Sequence, residues 1–118
     1  MKIRTVIFYT TTDEHRPVEE WLDSLDDARA EAVALGIKFF EEYPNPIVPS
    51  KYFEKIAGTH LWEIKCHYGK EQYRLLAFTE GHAIIIATHG FSKKTWKIPR
   101  REAQVAEARR KEYLNRKK

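Results

Sequence analysis

A single cysteine, Cys66, stands among 118 residues, so no intramolecular disulfide can form, which suits a reducing compartment. No apolar run approaches the roughly 18–20 residues that a membrane span needs. The start, Met1-Lys2-Ile3-Arg4, lacks the apolar stretch of an export signal. The histidines His15, His60, His67, His82 and His89 are scattered, and no CxxC, HxxxH or clustered-carboxylate spacing suggests a metal site. GxSxG, P-loop and GxGxxG motifs are missing too, which argues against conventional hydrolases and nucleotide-binding enzymes. The expectation is one soluble cytoplasmic domain over residues 1–118, with no metal, no cofactor and no membrane partner. A hydrophobic content of 42% and a charged content of 32% fit a globular chain and argue against wholesale disorder.

What the chain does have is positive charge, unevenly placed. Residues 1–50 hold 5 Lys/Arg against 10 Asp/Glu, whereas residues 51–118 hold 16 against 7, so the net charge runs from −5 to +9. A positive field of that kind attracts phosphate backbones by counterion release. A solubilising surface would explain the cations but not their segregation.

Residues 3–9 (IRTVIFY) are β-branched and aromatic and read as a strand. Pro17 suits a first helical position, and Val18, Trp21, Leu22 and Leu25 make one apolar stripe. Ser24 followed by Asp27 suggests the cap of a second helix, striped by Ala28, Ala32, Leu35, Phe39 and Tyr43 and stopped by Pro44-Asn45-Pro46. Residues 61–68, 72–79 and 83–89 read as three strands, and their short connections make them an antiparallel meander. On the first of these, Glu63, Lys65 and His67 share a face. Residues 90–98 read as a basic loop, and a basic helix is expected over about 99–115. The order β-α-α-β-β-β-α predicts a two-layer α+β domain, with the meander packed against the two N-terminal helices.

The chemistry-bearing residues gather on the meander and the loop beyond it: Lys65, Arg74, Lys93, Lys94 and Lys97. RNA cleaves when its 2′-OH attacks the adjacent phosphate, provided that proton removal, charge stabilisation and leaving-group protonation are supplied. Arginine suits the second task through its planar fork. A lysine crowded by other cations has its pKa lowered towards that of a useful acid or base. Glu63, His67 and His89 are further acid–base candidates, and Phe91 and Trp96 could stack on bases. Each residue has a plainer reading. Arg74, in line with Leu76 and Phe78, fits a half-buried structural arginine. His89 fits a hydrogen-bonded core histidine, Glu63 a partner for Lys65, Trp62 and Trp96 packing residues, and the last helix a solvated face.

Lys55-Ile56-Ala57-Gly58, Leu61-Trp62-Glu63-Ile64-Lys65, Tyr73-Arg74-Leu75-Leu76, His89-Gly90-Phe91-Ser92-Lys93-Lys94-Thr95 and Lys97-Ile98-Pro99-Arg100-Arg101-Glu102 together resemble the RelE superfamily of toxins. Their pattern is similar to its HigB-like, phage-derived branch. The resemblance implies a RelE-like fold, an mRNA endoribonuclease acting in the ribosomal A site, and a small helix-turn-helix antitoxin as partner. By position it makes Arg74 the transition-state arginine and Lys65 a basic residue of the preceding strand. Lys93 or Lys94 becomes the basic residue after the last strand, able to act as general acid. Glu63 stands where some relatives carry lysine, and a counterpart of their stacking tyrosine falls on neither Trp96 nor Tyr113 clearly. The catalytic set is thus Arg74, Lys65, Lys93, Lys94, Glu63 and His89. The RNA-contacting set is Lys55, Phe91, Trp96, Lys97, Arg100 and Arg101. Two other functions fit the same residues: a non-catalytic RNA- or ribosome-binding module, and a partner protein that binds a helix-turn-helix protein through its acidic helices.

Overall fold

The computed structural model describes residues 2–81, 83–93 and 98–117, and of Lys93 only the backbone. In chain order it forms β1 (Thr5–Phe8), α1 (Pro17–Asp23), α2 (Asp27–Glu42), β2 (Phe53–Lys55), β3 (Trp62–Tyr68), β4 (Glu71–Glu80), β5 (Ile84–Lys93) and α3 (Arg100–Arg116). The strands make one sheet in the order β1-β5-β4-β3-β2. The expected meander is there as β3-β4-β5, but the sheet is mixed, because β1 lies parallel to β5.

The turns follow local chemistry. Tyr68 pairs with Glu71, leaving Gly69-Lys70 as a two-residue loop. Gly69 takes φ +58°, the positive angle that a type II′ hairpin places at its first central residue. Helix α2 is capped by Asp26, whose carboxylate accepts from the Arg29 N–H, two residues later than the cap at Ser24 that the Ser24–Asp27 spacing suggested. Its far end is held by Arg4. That guanidinium is buried and donates to the carbonyls of Phe40 (2.6 Å), Tyr43 (3.1 Å) and Asn45 (2.8 Å). It thereby satisfies carbonyls that a helix end leaves without partners, and its charge suits the negative end of the dipole. Beside it, the buried Glu41 carboxylate accepts from the Val6 N–H at 2.8 Å, so β1 is fastened to α2 by both residues.

Side chains alternate between two cores. Val33, Ile37 and Phe40 of α2 and Val18 of α1 pack on Ile64, Cys66, Tyr73, Leu75, Ala77, Ile85 and Ala87. On the other face Ala106 of α3 meets Leu61 and Leu76, and Tyr113 packs near Phe78 and Ile86. The expected two layers are therefore three, with the sheet in the middle. The thin apolar stripe of α3 is enough to cover the second face because the residues below it, Leu76, Phe78 and Ile86, are large.

Two glycines mark close approach. A Cβ on Gly36 of α2 would sit 2.7 Å from the Cys66 sulfur, and one on Gly90 would sit 2.3 Å from the Trp21 ring. Helices α2 and α1 thus lie directly on β3 and β5. Burial also pushes the Cys66 thiol up to about 12, which leaves it a packing residue rather than a nucleophile.

Two further elements differ from the sequence expectation. Strand β2 adds an edge to β3 through only three residues, too short for a periodic signal. Strand β5 runs on to Lys93, so residues 90–93 are ladder rather than loop. The last helix begins at Arg100, with Pro99 as its N-cap. No helix among the described residues is long and apolar enough to cross a membrane.

Arg4→Met is expected to destabilise the fold by about 2–4 kcal/mol, because it strips three carbonyls of their donor next to a buried carboxylate. Urea unfolding followed by circular dichroism measures this, and a loss below ~1 kcal/mol would show that the cap is dispensable.

Candidate functional site

The register of the three central strands builds a small grid on the face that α3 partly covers. One row is Glu63, Leu76 and His89; the next is Lys65, Arg74 and Phe91; the third is His67, Gln72 and Lys93. Directly opposed residues in such ladders lie about 4.5–5.5 Å apart at Cβ, so the side chains of the first two rows, and those of His67 and Gln72, are neighbours. Exposure rises along the grid, from buried Glu63, Leu76 and His89 to exposed His67 and Gln72.

A β-bulge makes the grid possible. Leu76 pairs with His89 but Ala77 pairs with Ala87, so Thr88 is the extra residue on β5. Strict alternation from Ala87 would send His89 to the α1/α2 side; the bulge returns His89 and Phe91 to the face of Arg74. Thr88 itself is buried, and its hydroxyl donates to the Leu76 carbonyl at 3.1 Å.

Arg74 lies at the centre of the grid and is 5% exposed, as is Glu63. Its Nε donates to a Glu63 oxygen at 2.6 Å and its Nη2 to the Gln72 side-chain oxygen at 2.6 Å. Arg74 is thus both buried and paired, in keeping with the structural reading of this residue. The expected Glu63–Lys65 partnership is replaced: Lys65 reaches across to Glu54 of β2 at 2.7 Å. Two anions and two cations therefore alternate over β2, β3 and β4.

The two histidines of the grid differ in what they can do. His89 has Nδ1 at 3.0 Å from the Thr88 hydroxyl and Nε2 at 3.1 Å from Glu102 of α3, so both nitrogens are occupied. Burial lowers its pKa despite the opposing pull of Glu102. His67 lies at the open end. Burial first, then the positive charges of Arg74 and Lys65, lower its pKa as well. It is the more accessible neutral imidazole, and only its place beside Lys65 on β3 hinted at it in the sequence.

The remaining sequence candidates are dispersed. Phe91 is half-buried against the Leu76 cluster, with its ring 6.1 Å from that of His89. Lys55 registers with Trp62, on the sheet face opposite Arg74, and its ammonium bonds the Thr59 carbonyl. Trp62 stacks on Phe53 at 4.6 Å and is a packing residue. Arg100 and Arg101 are exposed at the start of α3. Lys94, Trp96 and Lys97 lie outside the described residues, and so does the side chain of Lys93. Among the described residues no group of three or more His, Cys, Asp or Glu side chains converges as a metal site.

Residues 20–111 match the family of phage-derived Gp49-like proteins (DUF891). The match spans most of the chain, including α2, the whole β3-β4-β5 ladder and most of α3, and the chain belongs to this family. A search of curated proteins finds no match.

Because burial lowers the pKa of His89 in the fold, the unfolded chain binds its proton more readily. Stability is therefore expected to fall as the pH drops through and below 6.5, the ordinary histidine value, and to be fully present above it. His89→Asn should flatten that decline in thermal melts recorded from pH 7.5 to 5; an unchanged slope would place the acid sensitivity elsewhere.

Proposed function

We propose that this chain is the toxin of a type II toxin–antitoxin pair, an endoribonuclease that cleaves mRNA on the ribosome in the cytoplasm without a metal ion. A small helix-turn-helix antitoxin would restrain it. The observation that carries this reading is the grid: an arginine at the centre of the sheet, set between Lys65, a carboxylate and an uncharged imidazole. Membership of a phage-derived family and the basic second half of the chain agree with it.

A scissile phosphate enters from the open end and displaces the neutral Gln72 amide from Arg74 Nη2, an exchange in which a charged acceptor replaces a neutral one. Glu63 stays on Nε and fixes the plane of the guanidinium, so Glu63 is a positioning residue. His67, neutral and exposed, takes the 2′-OH proton. The freed oxygen attacks phosphorus, Arg74 and Lys65 stabilise the charge that develops there, and the 5′-oxygen leaves with a proton from Lys93 or Lys94. The products are a 2′,3′-cyclic phosphate and a 5′-hydroxyl.

A non-catalytic RNA-binding module remains the second reading, favoured by one observation: Arg74 is already buried and engaged by Glu63 and Gln72.

Arg74→Ala alone leaves the Glu63 carboxylate buried without its partner, at a cost of about 3–5 kcal/mol, and so confuses folding with activity. The double variant Arg74→Gln, Glu63→Gln keeps a neutral hydrogen-bonding pair. Brief expression followed by mapping of mRNA 5′ ends is expected to give frame-dependent ends with the wild type and at least ~100-fold fewer with the folded double variant. Growth arrest by wild type without new ends would favour the binding module.

The cleavage rate should rise with pH through the lowered His67 value, below 6.5, and level off at neutrality, since only the unprotonated ring accepts a proton. His67→Gln is expected to slow cleavage by about 10²-fold and to remove that acid limb. An acid limb that survives in His67→Gln would assign the base elsewhere.

A further inference from the structure

Helix α3 carries three carboxylates, and each is bonded to a neighbouring group. Glu102 bonds His89 at 3.1 Å, Glu107 accepts from the His60 N–H at 3.1 Å, and Glu112 bonds the Tyr9 hydroxyl at 2.5 Å and pairs with Arg116. The cations are treated differently. Arg109 turns inward to the Thr88 carbonyl at 3.2 Å, but Arg100, Arg101 and Lys111 are exposed and form no ion pair among the described residues. At 100° per residue, Arg100, Arg101, Gln104, Glu107, Ala108, Lys111 and Asn115 fall within one third of the helix circumference. All but Glu107, which lies at the edge of that third and is bonded to His60, are exposed, and this third lies opposite Ala106, which is buried against the sheet. Arg100 and Lys111 are about 16 Å apart along the axis, with small Ala108 between them.

We propose that this outward face of α3 is a docking surface for the phosphate backbone of double-stranded RNA, separate from the grid on the sheet. Charge complementarity names a polyanion, and the lack of an aromatic platform on this face among the described residues names the duplex. Single-strand binding without sequence preference depends on side chains that stack with bases. The only aromatic of α3, Tyr113, is instead packed edge-on against Phe78 at 5.4 Å and bonded to Glu80. Arg100 and Lys111, in line along the helix with small Ala108 between them, fit a shallow groove bordered by phosphates, which is how duplex RNA is read by shape. The inference rests on the proposed function, since a ribosome-directed enzyme needs a hold on structured RNA besides its hold on the message, and the charge pattern of α3 locates that hold.

The test is fluorescence polarisation with a labelled 16-base-pair RNA duplex and with one of its strands alone, over a range of salt. The full chain should prefer the duplex. Arg100→Gln, Arg101→Gln, Lys111→Gln combined should weaken duplex binding at least ~10-fold and flatten the log–log salt dependence by about 2–3, near 0.9 for each phosphate no longer neutralised. Lys38→Gln, Lys51→Gln, Lys70→Gln combined removes the same charge from exposed positions off α3 and should leave the affinity within about 3-fold. Equal losses in the two triple variants, or tighter binding of the single strand, would overturn the proposal. The Arg74→Gln, Glu63→Gln protein should bind the duplex as wild type does, so failure of the catalytic reading and failure of this one are distinguishable.

Discussion

Strand β4 is buried on both faces from Tyr73 to Phe78, and the rest of the architecture answers that requirement. A strand in the middle of a sheet presents one row of side chains to each side, and both rows must be covered to gain from leaving water. Helices α1 and α2 cover Tyr73, Leu75 and Ala77, while α3 covers Leu76 and Phe78. Arg74 interrupts the second row with a charge. An unpaired guanidinium there would be very costly, and Glu63 on β3 and Gln72 on the same strand meet that demand. The core and the candidate site are thus one row of residues.

Coverage of that row is graded, and the grading gives the site its direction. Where α3 lies on the sheet, Glu63 and His89 are buried, and His89 is tied to the helix through Glu102. Further along the strands, beyond the helix, His67 and Gln72 are exposed. Burial first, and then the two positive neighbours Arg74 and Lys65, lower the pKa of His67. Positive potential and a proton acceptor therefore occur together at the open end, the combination that cleavage through a ribose hydroxyl requires.

Charge segregation along the chain becomes segregation in space. The acidic half forms β1, α1 and α2, and its charges include the cap of α2 and the Glu41 clasp on β1. The basic half supplies the grid and α3. Within α3 the sorting is repeated at the scale of one helix, with the carboxylates bonded to neighbouring groups, Arg109 turned inward, and Arg100, Arg101 and Lys111 left outward. The positive field on that side is therefore stronger than a net charge of +4 suggests.

The sequence by itself determined the α+β class, both N-terminal helices, the three long strands and the basic last helix, because each is longer than the period that reveals it. It also picked out Arg74, Lys65 and Glu63, since charges set among apolar strand residues stand out. Local pattern could not find β2, whose three residues are held by pairing with β3 alone. Nor could it find Arg4, whose acceptors are carbonyls some 36–41 residues away. The partners of Glu63 and Lys65 were likewise decided by tertiary structure, because neighbouring strands bring Arg74 and Glu54 closer than the same strand brings either to the other. Most decisive is the bulge at Thr88: one extra residue reverses which face every later side chain of β5 occupies. Only the pairing of β5 with β4 shows that His89 and Phe91 stand beside Arg74.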